Sequence, residues 1–254
     1  MAEYLTYPFK TMGISQDHNG SYSHTKYSEG KPSDYPVDET GADRGSDWMY
    51  ASVDLKVMKI YGRGIPEKPN TVWLQTTKKV ITPIGFHFVC GRVTHMSDGD
   101  LKGLKVGHVF RAKSKMFREG TDGNVTGRHL HMTWGTGKFK DSGWIKNNRG
   151  AFVLTTTGSN RKLEKLFFMD PNFTTRIRMS QGLKFKKKPT VRTMYVKKRR
   201  VKTKVRASYS VSSKVVGRLK SGTKVKVYVT YGNWCCVGDG RWIHKKYLRN
   251  IKEI

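Results

Sequence analysis

Cysteines and long apolar runs are scarce in this sequence. It has three cysteines in 254 residues, Cys90 and the adjacent pair Cys235 and Cys236, which is not the disulfide framework of a small secreted domain. We expect them to be small apolar side chains on buried strands. No stretch is apolar enough to span a membrane, and residues 1–10 lack the basic start and apolar core of a secretory signal. The sequence therefore predicts a protein made in the cytoplasm, without a signal peptide or a membrane partner.

Acidic residues are also scarce. The sequence has 19 Asp and Glu residues and 49 Lys and Arg residues, which gives a formal charge of +30, and no acidic residue lies between Asp170 and Asp239. A single charge run is typical of a solvated face or a linker, but an acid-free stretch of this length favours a polyanionic partner. Nucleic acid, anionic membrane and teichoic-acid-bearing cell wall all meet that requirement, so charge alone leaves the partner open.

Helical periodicity is scarce as well, whereas short runs rich in Val, Thr, Tyr, Phe and Trp alternate with Gly-rich turns. This pattern predicts a mostly-β protein, and its length favours two domains. Residues 1–185 are predicted to form an antiparallel β-sheet domain. Residues 186–200 have the composition of a basic linker, and residues 201–254 read as about five short strands of a small β-barrel.

One histidine pair has a spacing that places two side chains together. His129 and His131 flank Leu130 on a predicted strand, so both imidazoles point to one face, roughly 6.6 Å apart, and Leu130 faces the core. An H-x-H pair alone is more often a harmless surface pair than a site. His18, in a polar loop near the N-terminus, is interpreted as solvated, with substrate contact as the alternative.

Further residues give the pair a chemical context. A catalytic zinc site commonly has three nitrogen or oxygen ligands and an open position for water. His24, Asp38 and His131 can supply those three ligands. His95, which ends a β-like run, and His129 would then remain available to move protons and to stabilise charge on an attacked carbonyl group.

The motifs around these residues resemble a known family. His24, Asp38 within "YPVDETG", His95 within "VTHM" and the segment "GRHLHMTWG" are together similar to the lysostaphin/LytM family of zinc endopeptidases, over roughly residues 12–155. The resemblance implies a metallopeptidase domain in residues 1–185. It also implies roles for five side chains: zinc ligation by His24, Asp38 and His131, and catalysis by His95 and His129.

The interval between the first two implied ligands departs from that family. Fourteen residues separate His24 from Asp38, where the family has only a few. Asp34 is therefore a rival ligand. We favour Asp38 because an apolar, strand-like residue precedes it and a glycine follows shortly after.

The C-terminal segment resembles bacterial SH3-like domains through "SSKVVGRLKSGTKV" and the ending "GNW" to "GRWIHKKYL". Small residues usual after the first strand are partly replaced here, by Tyr209 and Val211. The resemblance implies noncatalytic binding to cell-wall material, and the basic charge suits anionic wall polymers.

These observations predict a zinc-dependent peptidoglycan hydrolase that cleaves an amide bond in the peptide cross-link or stem. The domain pairing resembles phage endolysins, which act on the wall after release from the cytoplasm. A bacterial autolysin and a noncatalytic wall-binding protein are the alternatives. A nucleic-acid-binding protein would explain the charge but not the histidine set, so we expect no nucleic-acid partner.

Overall fold

The computed structural model describes most of the chain, namely residues 3–25, 34–40, 47–62, 68–178 and 183–250. The ends of the two predicted domains, 1–2 and 251–254, lie outside these residues. Helices are short: α1 (Asp98–Leu101), α2 (Leu163–Leu166) and a 3₁₀ turn, Lys245–Tyr247. No helical segment in the described residues has the length and apolar character needed to cross a membrane.

Strands dominate the N-terminal part, which confirms the mostly-β prediction. They are β1 (Thr11–Gln16), β2 (Val37–Thr40), β3 (Trp48–Tyr50), β4 (Leu55–Tyr61), β5 (Thr71–Thr76), β6 (Val80–Thr82), β7 (Gly85–His87), β8 (Val89–Thr94), β9 (Val109–Phe110), β10 (Lys115–Arg118), β11 (Leu130–Thr136), β12 (Phe139–Lys146), β13 (Phe152–Thr156), β14 (Phe168–Met169), β15 (Arg176–Arg178) and β16 (Lys186–Lys187).

Eight of these strands form one sheet, in the order β15-β1-β2-β11-β8-β5-β4-β9. Its pairs are antiparallel except for β1 with β15. Because side chains alternate across a strand, one face of the sheet packs on the main core through residues such as Val72, Leu130 and Met132. The opposite face carries Trp73 and Cys90, which pack against Leu154 of a separate hairpin made of β12 and β13.

The C-terminal part contains β17 (Arg192–Val196), β18 (Thr203–Arg206), β19 (Val215–Leu219), β20 (Lys224–Val227), β21 (Val229–Tyr231), β22 (Trp234–Gly238), β23 (Arg241–His244) and β24 (Leu248–Arg249). They form a three-stranded sheet, β20-β17-β24, and a five-stranded sheet, β19-β18-β23-β22-β21, around a second core. The five-strand expectation for this region therefore missed the short β24 and the splitting of one predicted strand into β20 and β21.

The segment 186–200, predicted as a linker from its composition, contains ordered strands. β16 pairs in parallel with β14, and β17 pairs with β20 and β24. Met194 and Val196 are buried in the second core, so part of this segment belongs to the C-terminal fold. Its many basic residues hid the alternation of apolar side chains that a strand requires.

All three cysteines are buried and free, as their residue type suggested. Adjacent Cys235 and Cys236 can both be buried because the two faces of β22 are covered by different groups of residues. Cys235 lies in the core of the C-terminal sheets, whereas Cys236 packs with Ile81 and Phe168 of the N-terminal part.

Candidate metal centre

Strand register brings two of the predicted ligands together. Asp38 on β2 is the direct antiparallel partner of His131 on β11. Directly opposed residues in an antiparallel pair project to the same face of the sheet. The Nδ1 atom of His131 lies 2.9 Å from Oδ1 of Asp38, although 93 residues separate them in the chain.

His24 reaches the same carboxylate from the turn that follows β1. Its Nε2 atom lies 3.2 Å from Oδ1 of Asp38 and its Nδ1 atom 2.5 Å from the carbonyl oxygen of Asp17. A proton on Nδ1 can be donated to that carbonyl, which leaves the Nε2 lone pair directed at the site. The side chain is 2 % exposed, so the geometry is held by packing.

A glutamine that the sequence argument did not identify orients the carboxylate. Gln16 is paired with Asp38 across β1 and β2, and its Nε2 donates to Oδ2 of Asp38 at 2.7 Å. It also contacts Ser23, beside His24, through two hydrogen bonds. Gln16 therefore fixes both the carboxylate and the turn that carries His24. Its role depends on a strand pairing that the sequence pattern did not reveal.

His24, Asp38 and His131 form a set that could hold a metal ion, with ligand atoms all within 4.8 Å of one another. Metal–ligand bonds near 2.0–2.1 Å in a tetrahedral zinc site place ligand atoms about 3.3 Å apart. Two imidazole nitrogens 3.2 and 2.9 Å from one carboxylate oxygen fit this requirement. Burial opposes ionisation of Asp38, but its contacts with the His131 and His24 side chains hold the pKa of its carboxyl group well below its usual range.

His95 lies beside this set, immediately after β8. Its ring centroid is 4.8 Å from that of His129 and 6.0 Å from that of His131. The backbone φ of His95 is 81°, a left-handed conformation that a non-glycine residue rarely adopts and that is often found at functional sites. Burial, followed by the neighbouring His131, lowers the pKa of His95 to about 3. The imidazole is therefore neutral at neutral pH.

His129 precedes β11 and faces the same carboxylate. Its Nδ1 atom lies 2.9 Å from the carbonyl oxygen of Gly127, and its Nε2 atom lies 3.7 Å from Oδ1 of Asp38. The Nδ1 atom of His95 likewise lies 2.7 Å from the carbonyl oxygen of Asp122. An imidazole that donates its Nδ1 proton to a backbone oxygen keeps Nε2 available, and in its neutral form that atom has a lone pair that can accept a proton.

All five predicted site residues thus come together, while Asp34 does not join them. The Asp34 carboxylate is in an ion pair with Arg92, with Oδ2 3.2 Å from Nη2. The interpretation of His18 as a solvated side chain is wrong, because it is 2 % exposed and packs edge-on against Tyr35 at 5.7 Å.

A groove of about 260 Å³ opens beside the site. His24, His95 and His131 form its polar end. Its lining also includes polar residues such as Asp34, Arg92 and Asn147, and a group of aromatic and apolar side chains, namely Tyr61, Pro69, Trp73, Trp144, Phe152 and Val153. The sequence argument missed these aromatic and apolar lining residues. The only signal of them was a run of aromatic residues between 139 and 156, and the contacts of that run with β4 and β5 are not evident from the sequence.

Comparison with known proteins supports the C-terminal assignment. Residues 202–249 match the bacterial SH3 domain family, which confirms the SH3-like interpretation of this segment. No match was found among curated proteins.

Two solved structures show similarity to the chain. A zinc containing peptidase from Vibrio cholerae has a TM-score of 0.33 and 17 % identity, and the similarity covers 52 % of this chain and 37 % of that one. The antimicrobial peptidase lysostaphin from Staphylococcus simulans has a TM-score of 0.30 and 14 % identity, over 96 % of this chain and 85 % of that one. Both TM-scores lie below 0.5, so neither similarity establishes a shared fold.

Proposed function

We propose that the chain is a zinc-dependent peptidoglycan hydrolase that cleaves an amide bond in the peptide cross-link or stem. The observation that carries the proposal is the convergence of two imidazoles on one carboxylate, with the imidazoles of His95 and His129 beside them and a groove that His24, His95 and His131 line. A polar cluster of this kind at the end of an aromatic-lined groove is the arrangement expected of an active site.

His24, Asp38 and His131 would hold the ion. A bound zinc ion supplies Lewis acidity, which lowers the pKa of a water molecule and polarises a carbonyl group. Gln16 would keep Oδ1 of Asp38 directed at the ligand set through its hydrogen bond to Oδ2. The carbonyl oxygen of Asp17 would keep the Nε2 atom of His24 in place.

His95 and His129 would carry the proton transfers. Both have Nδ1 within hydrogen-bond distance of a backbone oxygen, which leaves Nε2 for proton transfer, and His95 is neutral at neutral pH because its pKa is low. These atoms can accept a proton from the attacking water and return it to the leaving amine. Once protonated, they can also stabilise negative charge on the attacked carbonyl oxygen.

The C-terminal domain would bind the cell wall. Its match to bacterial SH3 domains and the absence of acidic residues between Asp170 and Asp239 support attraction to anionic wall polymers. Attachment raises the local substrate concentration without changing the chemistry. We further propose that the protein is a phage endolysin, made in the host cytoplasm and acting on the wall after release, and hence antimicrobial.

Loss of turbidity in a suspension of purified cell walls tests the enzyme proposal. His131→Ala should abolish lysis, because it removes one of three metal ligands. His108→Ala is a matched control, because this exposed imidazole contacts Phe110 and lies outside the set. Undiminished lysis by His131→Ala would contradict the proposal, and wall binding by a lysis-free wild type would indicate a noncatalytic wall-binding protein.

A further inference from the structure

Asp34 is the centre of a buried hydrogen-bond network beside the groove. Its Oδ2 atom accepts from Arg92 Nη2 at 3.2 Å and from Thr133 Oγ1 at 3.0 Å. Its Oδ1 atom accepts from the backbone N–H of Leu154 at 2.9 Å and from Asn160 Nδ2 at 2.8 Å. The residue is 7 % exposed. Four donors from distant segments therefore meet at one carboxylate.

This network ties the hairpin of β12 and β13 to the large sheet. Arg92 on β8 also donates from Nη1 to the carbonyl oxygen of Phe152 at 2.6 Å, so Asp34 and Arg92 together hold two successive parts of β13. Burying a charge is unfavourable unless it is paired and fully hydrogen-bonded. Loss of the Asp34 charge would leave Arg92 buried without its counter-ion and would loosen the attachment of β13.

The other strand of the hairpin is attached independently. Trp73 on β5 donates from Nε1 to the carbonyl oxygen of Gly143 at 2.9 Å. Gln75, on the same strand, accepts from the backbone N–H of Phe139 at 2.7 Å. Both strands of the hairpin are thus fixed to the sheet, and the hairpin forms a rigid side of the groove.

The face that the hairpin turns to the groove is aromatic. Trp144 packs edge-on against Phe152 and Tyr61, with ring centroids 4.4 Å and 6.3 Å apart, respectively. Phe152 remains 43 % exposed. We call these three residues the aromatic wall.

Ammonium groups lie over the rings of the wall. Lys59 is 5.6 Å from the Trp144 ring, Lys68 is 5.4 Å from the Tyr61 ring, and Lys146 is 5.3 Å from the Phe152 ring. The aromatic surface that stays exposed, as at Phe152, can bind apolar groups, and the ammonium groups beside it attract carboxylates. The surface suits a peptide with apolar side chains and free carboxylates.

We propose that the aromatic wall determines substrate specificity by binding the peptide part of the substrate, and that Asp34 is its positioning residue. The inference rests on the proposed function and deepens it, because it assigns the substrate class to a surface beside the proposed metal site. Asp34, which lies within the interval between His24 and Asp38, supplies the carboxylate that anchors the wall.

Binding measured by calorimetry tests the proposal separately from catalysis. The titration uses the full chain carrying His129→Ala, which prevents turnover. The probes are a soluble peptidoglycan stem pentapeptide with its free carboxylates and a glycine pentapeptide. We expect the stem peptide to bind more tightly. Trp144→Leu should weaken its binding by about tenfold or more, whereas Trp144→Phe, which keeps an aromatic face, should retain most of the affinity.

The positioning role of Asp34 is tested in the chain with His129 restored. Asp34→Asn should raise KM more than it lowers kcat, with zinc content unchanged. Should Asp34→Asn not fold, Asn160→Ala, which removes one donor to Asp34 and keeps the carboxylate, should show the same larger change in KM than in kcat, and an unchanged KM would contradict the positioning role. Equal binding of both peptides, or unchanged binding by Trp144→Leu, would overturn the proposal. Trp144-dependent binding by a protein that cleaves no peptidoglycan would instead refute the proposed function and leave the wall assignment standing.

Discussion

Gly143 lies against Trp73 of the sheet, and replacing it with alanine should weaken the contact between the hairpin and the sheet. Its φ is 85°, and an added Cβ would lie 2.7 Å from Nε1 of Trp73 and closer still to the ring of Phe139. Left-handed backbone costs a non-glycine residue about 1–2 kcal/mol. Overpacking at a well-packed contact adds about 1–3 kcal/mol. Gly143→Ala should therefore lower the free energy of unfolding by about 2–5 kcal/mol.

A second glycine in the same hairpin separates the two costs. Gly150 has a φ of 80°, but an added Cβ there meets nothing within 4 Å. Gly150→Ala should pay only the backbone cost. Thermal unfolding followed by circular dichroism should place the Gly143→Ala midpoint below that of Gly150→Ala by about 4–8 °C, for a difference of about 2 kcal/mol. Equal midpoints would refute the inference that this hairpin is held against Trp73.

Three further predictions concern the thiols, the domain contact and the charge. Burial raises the pKa of Cys90 and Cys236 to about 12, so a thiol reagent at pH 8 should label them only after denaturation. Because both pKa values exceed the ordinary 9.0, the thiols ionise only in the unfolded state between pH 9 and 12. The free energy of unfolding should therefore be unaffected below pH 9 and should decrease as the pH rises toward 12. Cys90→Ala should show a smaller decrease in denaturation curves. Lys79→Ala removes an exposed ion pair with Asp239 and should lower the free energy of unfolding by less than about 1 kcal/mol, so a larger loss in urea titration would show that the domain contact depends on it. The fraction of protein that sediments with purified walls should decrease as NaCl is raised from about 0.05 to 0.5 M, because salt screens exposed charges. Salt-independent binding would contradict an electrostatic attachment.

Short-range spacing predicted much of the candidate site. The alternation around Leu130 placed His129 and His131 on one side of the chain, and Leu130 is fully buried as expected. Period-two patterns of this kind depend only on backbone geometry, so they can be read directly from the sequence. Gly222 and Gly232 lie in C-terminal turns and have positive φ, a conformation that glycine adopts without steric cost.

Long-range partners could not be predicted in this way. The donors to Asp34 lie 58 to 126 residues away in the chain, and no local pattern links them to it. His18 appeared polar from its neighbours, yet Tyr35 covers it. β17 was missed because the basic residues on either side of it outweighed Met194 and Val196 in the composition of the segment.

The central claim is that His24, Asp38 and His131 gather around one zinc ion, and zinc content measured by mass spectrometry tests it most directly. The chain purified in the presence of zinc should contain one ion per chain. Asp38→Asn should lose it, because Oδ1 of Asp38, which both His24 and His131 contact, would no longer carry negative charge. Asp34→Asn is the matched control and should retain the ion. A wild-type protein that binds no zinc, or zinc lost with Asp34→Asn and kept with Asp38→Asn, would contradict the account.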